Sequence, residues 1–345
     1  MKNIIFYSER WMNGGIESII MNIISNSKKF KYKIIVGQKE TNSFDEKIKK
    51  YNVDFIELHK RIYKNPIIRT ISSIIKFKKI MKKEKKSIVH INIYNSVGLI
   101  LGLFIRNDNK VIIHAHNDGI DKENDKLYLK RFANLFFKKI LSFSKYEYFA
   151  CSDLAANFCF NTKKIKKYYI MRNGIDTNRF KFNLEKRKKV RTLLEISDNT
   201  LLIGHVGRFV YQKNHTFLIN VFKEFIKDYD DAKLLLIGNG PLMNNIKDIV
   251  EKENMQKKVI FIENTNLIDE YMSAIDIFLF PSLYEGLGIA LIEAQCSGLK
   301  CLASNALPKM VKITNNITFL SLNIEKWKTS LIKKMKYRRK DVSEL

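Results

Sequence analysis

Two acidic residues, Glu285 and Glu293, stand eight positions apart around the glycines Gly286 and Gly288, in the stretch Asp-Ile-Phe-Leu-Phe-Pro-Ser-Leu-Tyr-Glu-Gly-Leu-Gly-Ile-Ala-Leu-Ile-Glu-Ala-Gln-Cys-Ser-Gly at 276–298. The apolar run 277–280 reads as a buried strand stopped by Pro281, and a helical pattern begins near Ile289. A strand, a glycine-bearing turn and a helix N-terminus leave backbone N–H groups and the positive end of the helix dipole facing outward, which suits an anion. With about 3.6 residues per helical turn, Glu293 is expected to face back toward the turn holding Glu285. Two carboxylates beside a phosphate cradle fit a ligand with both phosphates and hydroxyls, as a nucleotide-sugar has.

The matching cations lie upstream, in Gly-His-Val-Gly-Arg-Phe-Val-Tyr-Gln-Lys-Asn-His at 204–215. Arg208 offers a planar fork of donors and Lys213 a compact charge, and together they can neutralise a diphosphate leaving group. The run 233–241 is a buried strand ending in Gly238, Asn239 and Gly240. In the first half, Asn13-Gly14-Gly15-Ile16-Glu17 follows the first strand, where glycines let backbone approach a ligand; it is not a G-x-G-x-x-G dinucleotide motif. Val-Ile-Ile-His-Ala-His-Asn-Asp at 111–118 puts His116 just beyond the carboxyl end of a strand, where open α/β sheets bind ligands. His114 shares its side of the strand, so either histidine could be the functional one. Asp228-Tyr-Asp230 spells a D-x-D metal motif, but at the amino end of a strand, so it reads as a solvated turn. No metal or other cofactor is expected.

Short apolar runs alternate with longer amphipathic stretches, the pattern of parallel sheets flanked by helices. Strands are expected at 4–7, 33–36, 55–58, 88–92, 111–114, 148–151 and 169–171, then at 201–206, 233–237, 259–262, 277–280, 301–303 and 317–320. Helices are expected at 18–27 and near 67–86. The polar stretch 178–198, rich in Lys and Arg, marks an interdomain boundary. The expected organisation is an N-terminal acceptor-side domain over 1–180 and a nucleotide-sugar-binding domain over 181–325. A C-terminal helical segment, 326–345, could pack back on the first domain.

A chain of 345 residues is long enough for two domains of about 150 residues, and 46% hydrophobic residues supply their cores. The formal net charge of +27 asks for an anionic partner: nucleic acid, an anionic leaflet or phosphorylated substrates. Near 67–86 the apolar residues Ile71, Ile74, Ile75, Phe77, Ile80 and Met81 recur at helical spacing with lysines on the other face. That helix could dock on an anionic membrane surface, although a plain solvated helix reads the same way. It lacks the interleaved aromatics of a nucleic-acid site, so no nucleic-acid partner is expected. Cys151, Cys159, Cys296 and Cys301 form no C-x-x-C pair and read as thiols in a reducing compartment. The longest apolar run, 97–105, is far short of the roughly 20 residues that span a bilayer. Cytoplasmic residence, peripheral on the inner face of the membrane, is the expectation.

The stretch 281–294 resembles the Glu-x7-Glu signature of family 4 retaining glycosyltransferases, which have two doubly wound Rossmann-like α/β domains facing across a cleft. Gly207-Arg208 with Lys213, the Gly238–Pro241 turn, Gly14-Gly15 and the 172–176 turn (Arg-Asn-Gly-Ile-Asp, with Arg172 in place of the family's proline) match in the expected order. After Gly298 the chain departs from the pattern, having no Gly-Gly loop near Ser304. The resemblance implies transfer of a hexosyl group from a nucleotide-sugar, a UDP-sugar, to a saccharide or lipid-linked saccharide in surface polysaccharide synthesis, with retention. Arg208 and Lys213 would hold the diphosphate, Glu293 the ribose and Glu285 the sugar. Gly14, Gly15, Asn239, Gly286, Leu287, Gly288 and Ile289 would line the donor, and His116 would contact its sugar. The leaving phosphate would help deprotonate the acceptor. Two rivals are a sugar-nucleotide epimerase of the same architecture, which needs no acceptor, and a nucleic-acid-binding protein, which would bind with steep salt dependence.

Overall fold

A computed structural model of the chain describes residues 3–335 except 13, 28, 43, 61–65, 118–126, 144, 166, 172–173 and 264, with no side-chain account of 66–67 and 127–130. The chain divides into two compact units, Met1–Gly174 and Ile175–Leu345.

The first unit runs β1 (Asn3–Trp11), α1 (Gly15–Asn26), β2 (Lys31–Lys39), α2 (Asp45–Lys50), β3 (Asp54–Glu57), α3 (Pro66–Met81), β4 (Ile88–Ile93), a 3₁₀ segment (Ser96–Phe104), β5 (Lys110–Ala115), α4 (Leu127–Leu141), β6 (Glu147–Ala150), α5 (Asp153–Cys159) and β7 (Tyr168–Ile170). Its seven strands are ordered β3-β2-β1-β4-β5-β6-β7, and the pairings are parallel. The second unit runs α6 (Thr177–Phe180), α7 (Leu184–Leu193), β8 (Leu201–Val206), a 3₁₀ turn (Tyr211–Lys213), α8 (His215–Ile226), β9 (Ala232–Ile237), α9 (Met243–Lys252), β10 (Val259–Ile262), α10 (Ile268–Ala274), β11 (Ile277–Phe280), α11 (Ile289–Cys296), β12 (Lys300–Ser304), a 3₁₀ turn (Lys309–Val311), β13 (Ile317–Leu320) and α12 (Ile324–Met335). Its six parallel strands are ordered β10-β9-β8-β11-β12-β13.

Both orders grow outward from the first strand and then jump back beside it, at β1/β4 and at β8/β11. Loops leaving those neighbouring strands diverge to opposite faces, which opens a crevice at the carboxyl ends. Strands covered on both faces read as continuous apolar runs: Leu234, Leu235, Leu236 and Ile237 of β9 are all buried.

The units differ from the expected organisation at their edges. The chain passes between units at Gly174–Ile175, before the polar stretch 178–198. That stretch is polar because α7 is pinned by buried cations. Arg187 Nη2 donates to Asp276 Oδ1 at 2.8 Å, and Arg191 Nη1 lies 3.3 Å from Asp276 Oδ2. Asp276 Oδ2 also accepts from Leu202 N at 2.8 Å, tying α7 to the start of β8 and β11. The last helix belongs to the second unit: α12 packs on α8, and Trp327 and Leu331 are fully buried in that unit's core. The basic tail beyond 335 lies outside the described residues. In α3 the buried face is Ser73, Phe77 and Met81, whereas Ile71 and Ile75 are exposed, so the apolar set at helical spacing is split.

Candidate functional site

At the β8/β11 crevice the two motif loops are stitched together. Gln212 accepts from Leu283 N through its carbonyl and donates through Nε2 to Tyr284 O, both at 2.8 Å. Asn214, in left-handed conformation at φ 56°, starts α8 and turns the chain so that Lys213 faces the 281–288 turn. Lys213 Nζ lies 2.5 Å from Glu285 Oε1 and 4.8 Å above the Phe280 ring. Both partners are largely withdrawn from water, with side-chain exposures of 16% and 9%, so their attraction is weakly screened. Gly288 precedes α11 at φ +76°, a left-handed backbone that glycine adopts without strain, and a Cβ there would stand 3.2 Å from the Phe280 ring, which would have to shift slightly. Gly286 and Leu287 are buried, Ile289 half-buried, and the first N–H groups of α11 have no acceptor within the helix, as at any helix start.

Arg208 is exposed at the β8 exit. Its loop is held against the β9 exit by Phe209 N donating to Asn239 O at 3.0 Å and Gly207 N to Ile237 O at 2.9 Å. The two loops are so close that a Cβ on Gly238 (φ +147°) would stand 2.1 Å from Gly207 O. Asn239 itself is exposed, its side chain accepting from Gly240 N at 2.6 Å.

Glu293 does not share the surroundings of Glu285. It is half-buried on α11, and burial raises its pKa to about 7, with Arg179 opposing and Asp269 adding to the rise. Arg179 is engaged elsewhere, donating through Nε to Asp269 Oδ1 at 2.9 Å. The two acids therefore face separate groups, Lys213 for one and the Arg179–Asp269 pair for the other.

Beneath Lys213 the sequence carried two histidines without an assigned role. His205 is fully buried and its Nδ1 meets Leu279 O at 2.8 Å; burial lowers its pKa to about 3. His215 stacks on Phe209 with centroids 4.1 Å apart, and burial holds its pKa down at about 2. Both stay neutral, so the fixed positive charge here comes from Lys213 and Arg208. The signal was their position, one on β8 and one opening α8.

In the first unit, Gly14 and Gly15 start α1, and Asn13 lies outside the described residues. The acid that follows is buried: Glu17 Oε1 accepts from Met12 N at 3.1 Å, and desolvation raises its pKa to about 7. At the carboxyl ends of β4 and β5, His116 Nε2 meets Asn92 Oδ1 at 2.8 Å. Asn92 Nδ2 donates to Tyr7 O at 3.1 Å, which turns Oδ1 toward the ring and makes His116 Nε2 the protonated nitrogen. His116 Nδ1 is then a bare acceptor, and burial lowers the ring's pKa to about 3. His114 packs against it at 3.9 Å between centroids and meets His90 Nε2 through Nδ1 at 3.2 Å. The alternation 90/92 on β4 beside 114/116 on β5 was the signal for this column. Asp118 lies outside the described residues. The Asp228–Asp230 turn is occupied by lysines, Lys328 on Asp228 and Lys258 on Asp230, both at 2.7 Å.

The chain matches two protein families, "Glycosyl transferase 4-like" over residues 15–149 and "Glycosyl transferases group 1" over 186–330. It is 28% identical to the putative glycosyltransferase EpsF of Bacillus subtilis over 313 residues, 86% of this chain and 78% of that protein. It is also 28% identical to the UDP-Gal:alpha-D-GlcNAc-diphosphoundecaprenol alpha-1,3-galactosyltransferase of Escherichia coli, over 69% of this chain and 63% of that one. Among solved structures, the Anabaena HepE protein in complex with UDP and glucose superposes with a TM-score of 0.76 at 15% identity, covering 97% of this chain and 91% of that chain.

Proposed function

We propose a donor, an acceptor and a mechanism for an enzyme that belongs to the group 1, 4-like glycosyltransferases of two-Rossmann-domain architecture. The reaction is transfer of a sugar from a UDP-sugar to a lipid-linked saccharide in surface polysaccharide synthesis, with retention at the anomeric carbon. The observation that carries the donor assignment is the Lys213–Glu285 pair, largely withdrawn from water at the β8/β11 crevice, with Arg208 at the β8 exit. UDP and glucose accompany the HepE structure, and the E. coli relative is named for a UDP-sugar donor and a diphosphoundecaprenol-linked acceptor.

Arg208 and Lys213 take the two phosphates and stabilise the charge that grows as the bond from the anomeric carbon to the β-phosphate oxygen breaks. The N–H groups from Gly286 to Ile289 assist, and in the first unit the glycine loop at Gly14 and Gly15 lets backbone approach a ligand. Glu293 accepts from the ribose hydroxyls and Glu285 from the sugar hydroxyls. Asn239 borders the nucleoside, and His116 contacts a sugar hydroxyl. The acceptor oxygen bonds to the anomeric carbon on the face the phosphate leaves, and its proton passes to the departing phosphate oxygen. Glu285 is held by Lys213, which argues against its acting as a nucleophile in a two-step displacement. No metal ion is required by this scheme.

The lysine-bearing α3 and the cationic surface around it dock the enzyme on the anionic cytoplasmic face of a membrane, where a lipid-linked acceptor resides. Among the described residues no helix is long and apolar enough to cross a membrane.

The test is turnover of a panel of nucleotide-sugars with membrane extract, with the anomeric configuration of the product read by NMR. Glu285→Gln and Arg208→Ala are each expected to lower turnover by about two to three orders of magnitude while the fold is kept. Near-normal transfer by either variant overturns the site, and abolition of activity by a chelator overturns the metal-free scheme.

A further inference from the structure

Electrostatic docking by lysines does not account for where the first unit exposes its large apolar side chains. On α4, Phe132 is 68% and Leu135 64% exposed, and Phe136 and Ile140 are exposed beside them. The spacing 132, 135, 136, 140 is that of a single helical face. Phe132 and Phe136 stack on each other with centroids 6.2 Å apart, an aromatic pair formed at the surface. α3 adds Ile71 and Ile75, four residues apart and each 53% exposed. The 3₁₀ segment Ser96–Phe104 packs on both α3 and α4, so these two helices share a neighbour. Lys78 of α3 lies over the ring of Phe104 at 5.2 Å, one of the contacts that join them.

On the two helices themselves the charged residues have one sign, with Arg69 paired to Glu9 of β1 at 3.0 Å. Residues 66–83 include Arg69, Lys76, Lys78, Lys79, Lys82 and Lys83 and no acid, and residues 127–141 include basic residues and no acid. A second copy of the chain would bring an equally basic surface against this one, which like-charge repulsion opposes. An anionic leaflet supplies both things the surface lacks, a negative layer for the lysines and an apolar layer for the rings. Long lysine side chains can keep their ammonium groups among headgroups while apolar neighbours go deeper. In the second unit the exposed large apolar residues are separate leucines and isoleucines, with no exposed phenylalanine among the described residues.

We infer that α3 and α4 form one membrane-inserting surface, in which Phe132, Leu135, Phe136, Ile140, Ile71 and Ile75 enter the acyl boundary of an anionic leaflet and the surrounding lysines engage its phosphates. This deepens the membrane-docking part of the proposed function, and it relocates the main anchoring contact from the lysines of α3 to the rings of α4.

The experiment is flotation of the full chain with vesicles of phosphatidylglycerol and phosphatidylcholine, against vesicles of phosphatidylcholine alone, with UDP binding followed by calorimetry on the same samples. The expected result is binding to the phosphatidylglycerol vesicles that the double variant Phe132→Ser/Phe136→Ser weakens by at least about tenfold, with UDP affinity unchanged. Ile71→Ser/Ile75→Ser is expected to act in the same direction. All four positions are exposed, and retention of the first unit's fold is checked by circular dichroism and thermal melts, with the UDP isotherm reporting on the second unit. Equal vesicle binding by wild type and the ring variant overturns the inference, as does binding that salt abolishes but neither variant alters. A dimer that the ring variant converts to monomer, with no vesicle binding, assigns the surface to a second copy and also overturns it. Loss of UDP binding by the wild-type chain would instead count against the donor site.

Discussion

The two crevices share a topology and hold opposite chemistry. At β8/β11 the polar groups are charged: Lys213 against Glu285, with Arg208 at the strand exit. In the first unit they are neutral: His114 and His116 are kept unprotonated by burial, Asn92 fixes the ring of His116, and Glu17 tends to keep its proton. Fixed charge suits the leaving diphosphate proposed for one crevice, and groups whose state does not drift with pH suit the sugar hydroxyls proposed for the other. The same strand order can serve both because the loops, and not the sheet, supply the chemistry.

The largest expected effect tests whether the charged crevice carries the reaction. Lys213→Ala is expected to lower kcat with the nucleotide-sugar that the chain turns over by about a thousandfold, whereas His116→Ala is expected to cost about tenfold to hundredfold. Steady-state kinetics on both variants would break the contrast if the order reversed. A second effect concerns what supports the charged crevice. Asp276→Asn removes the buried carboxylate that both Arg187 and Arg191 engage, and urea unfolding is expected to show a loss of about 3 kcal/mol.

A third prediction uses the two raised acids, one in each unit. Burial lifts Glu17 and Glu293 from the usual 4.5 to about 7, so the folded chain binds protons that the unfolded chain releases. Stability is therefore expected to fall as pH rises from about 4.5 to about 7 and then to level off, by about 1.4 kcal/mol for each pKa unit per group. Glu17→Gln and Glu293→Gln should each flatten that slope in thermal melts between pH 5 and 8. If Glu293 takes the ribose hydroxyls, UDP binding near neutral pH also releases a fraction of a proton. Calorimetry in buffers of different ionisation enthalpy would detect it, and Glu293→Gln should abolish it. The smallest effect is expected for Asn92→Leu, which frees the tautomer of His116 and is expected to lower kcat several-fold, about 1 kcal/mol, with substrate KM little changed.

The sheets were legible because parallel strands buried on both faces leave apolar runs between glycine-bearing turns. Each run read as a strand is one, from 4–7 within β1 to 317–320 as β13. The motif loops were legible for a related reason: Arg208, Lys213, Glu285 and His116 all follow strand exits, where an apolar run stops. What was hidden is pairing. Lys213 and Glu285 are 72 residues apart, and nothing local announces their contact. Arg187 and Arg191 looked like a solvated linker because a buried cation and an exposed one are spelled alike until Asp276 is placed beside them. The α3 helix misled in the other direction, since Ile71 and Ile75 match helical periodicity as well as Phe77 does, yet only Phe77 faces the core.

If Lys213 takes a phosphate, as proposed, its contact with Glu285 sets the terms of binding. A lysine without a partner would attract any passing anion, yet Lys213 carries its own counter-ion. An arriving diphosphate exchanges one ionic partner for another, so its affinity reflects the difference between two pairings. When the nucleotide departs, Glu285 can return to the ammonium group it left, and product release need not strand a desolvated cation. The resting enzyme is in this respect already neutralised, and selectivity lies in which ligand can offer the lysine a phosphate while giving the freed carboxylate a hydroxyl.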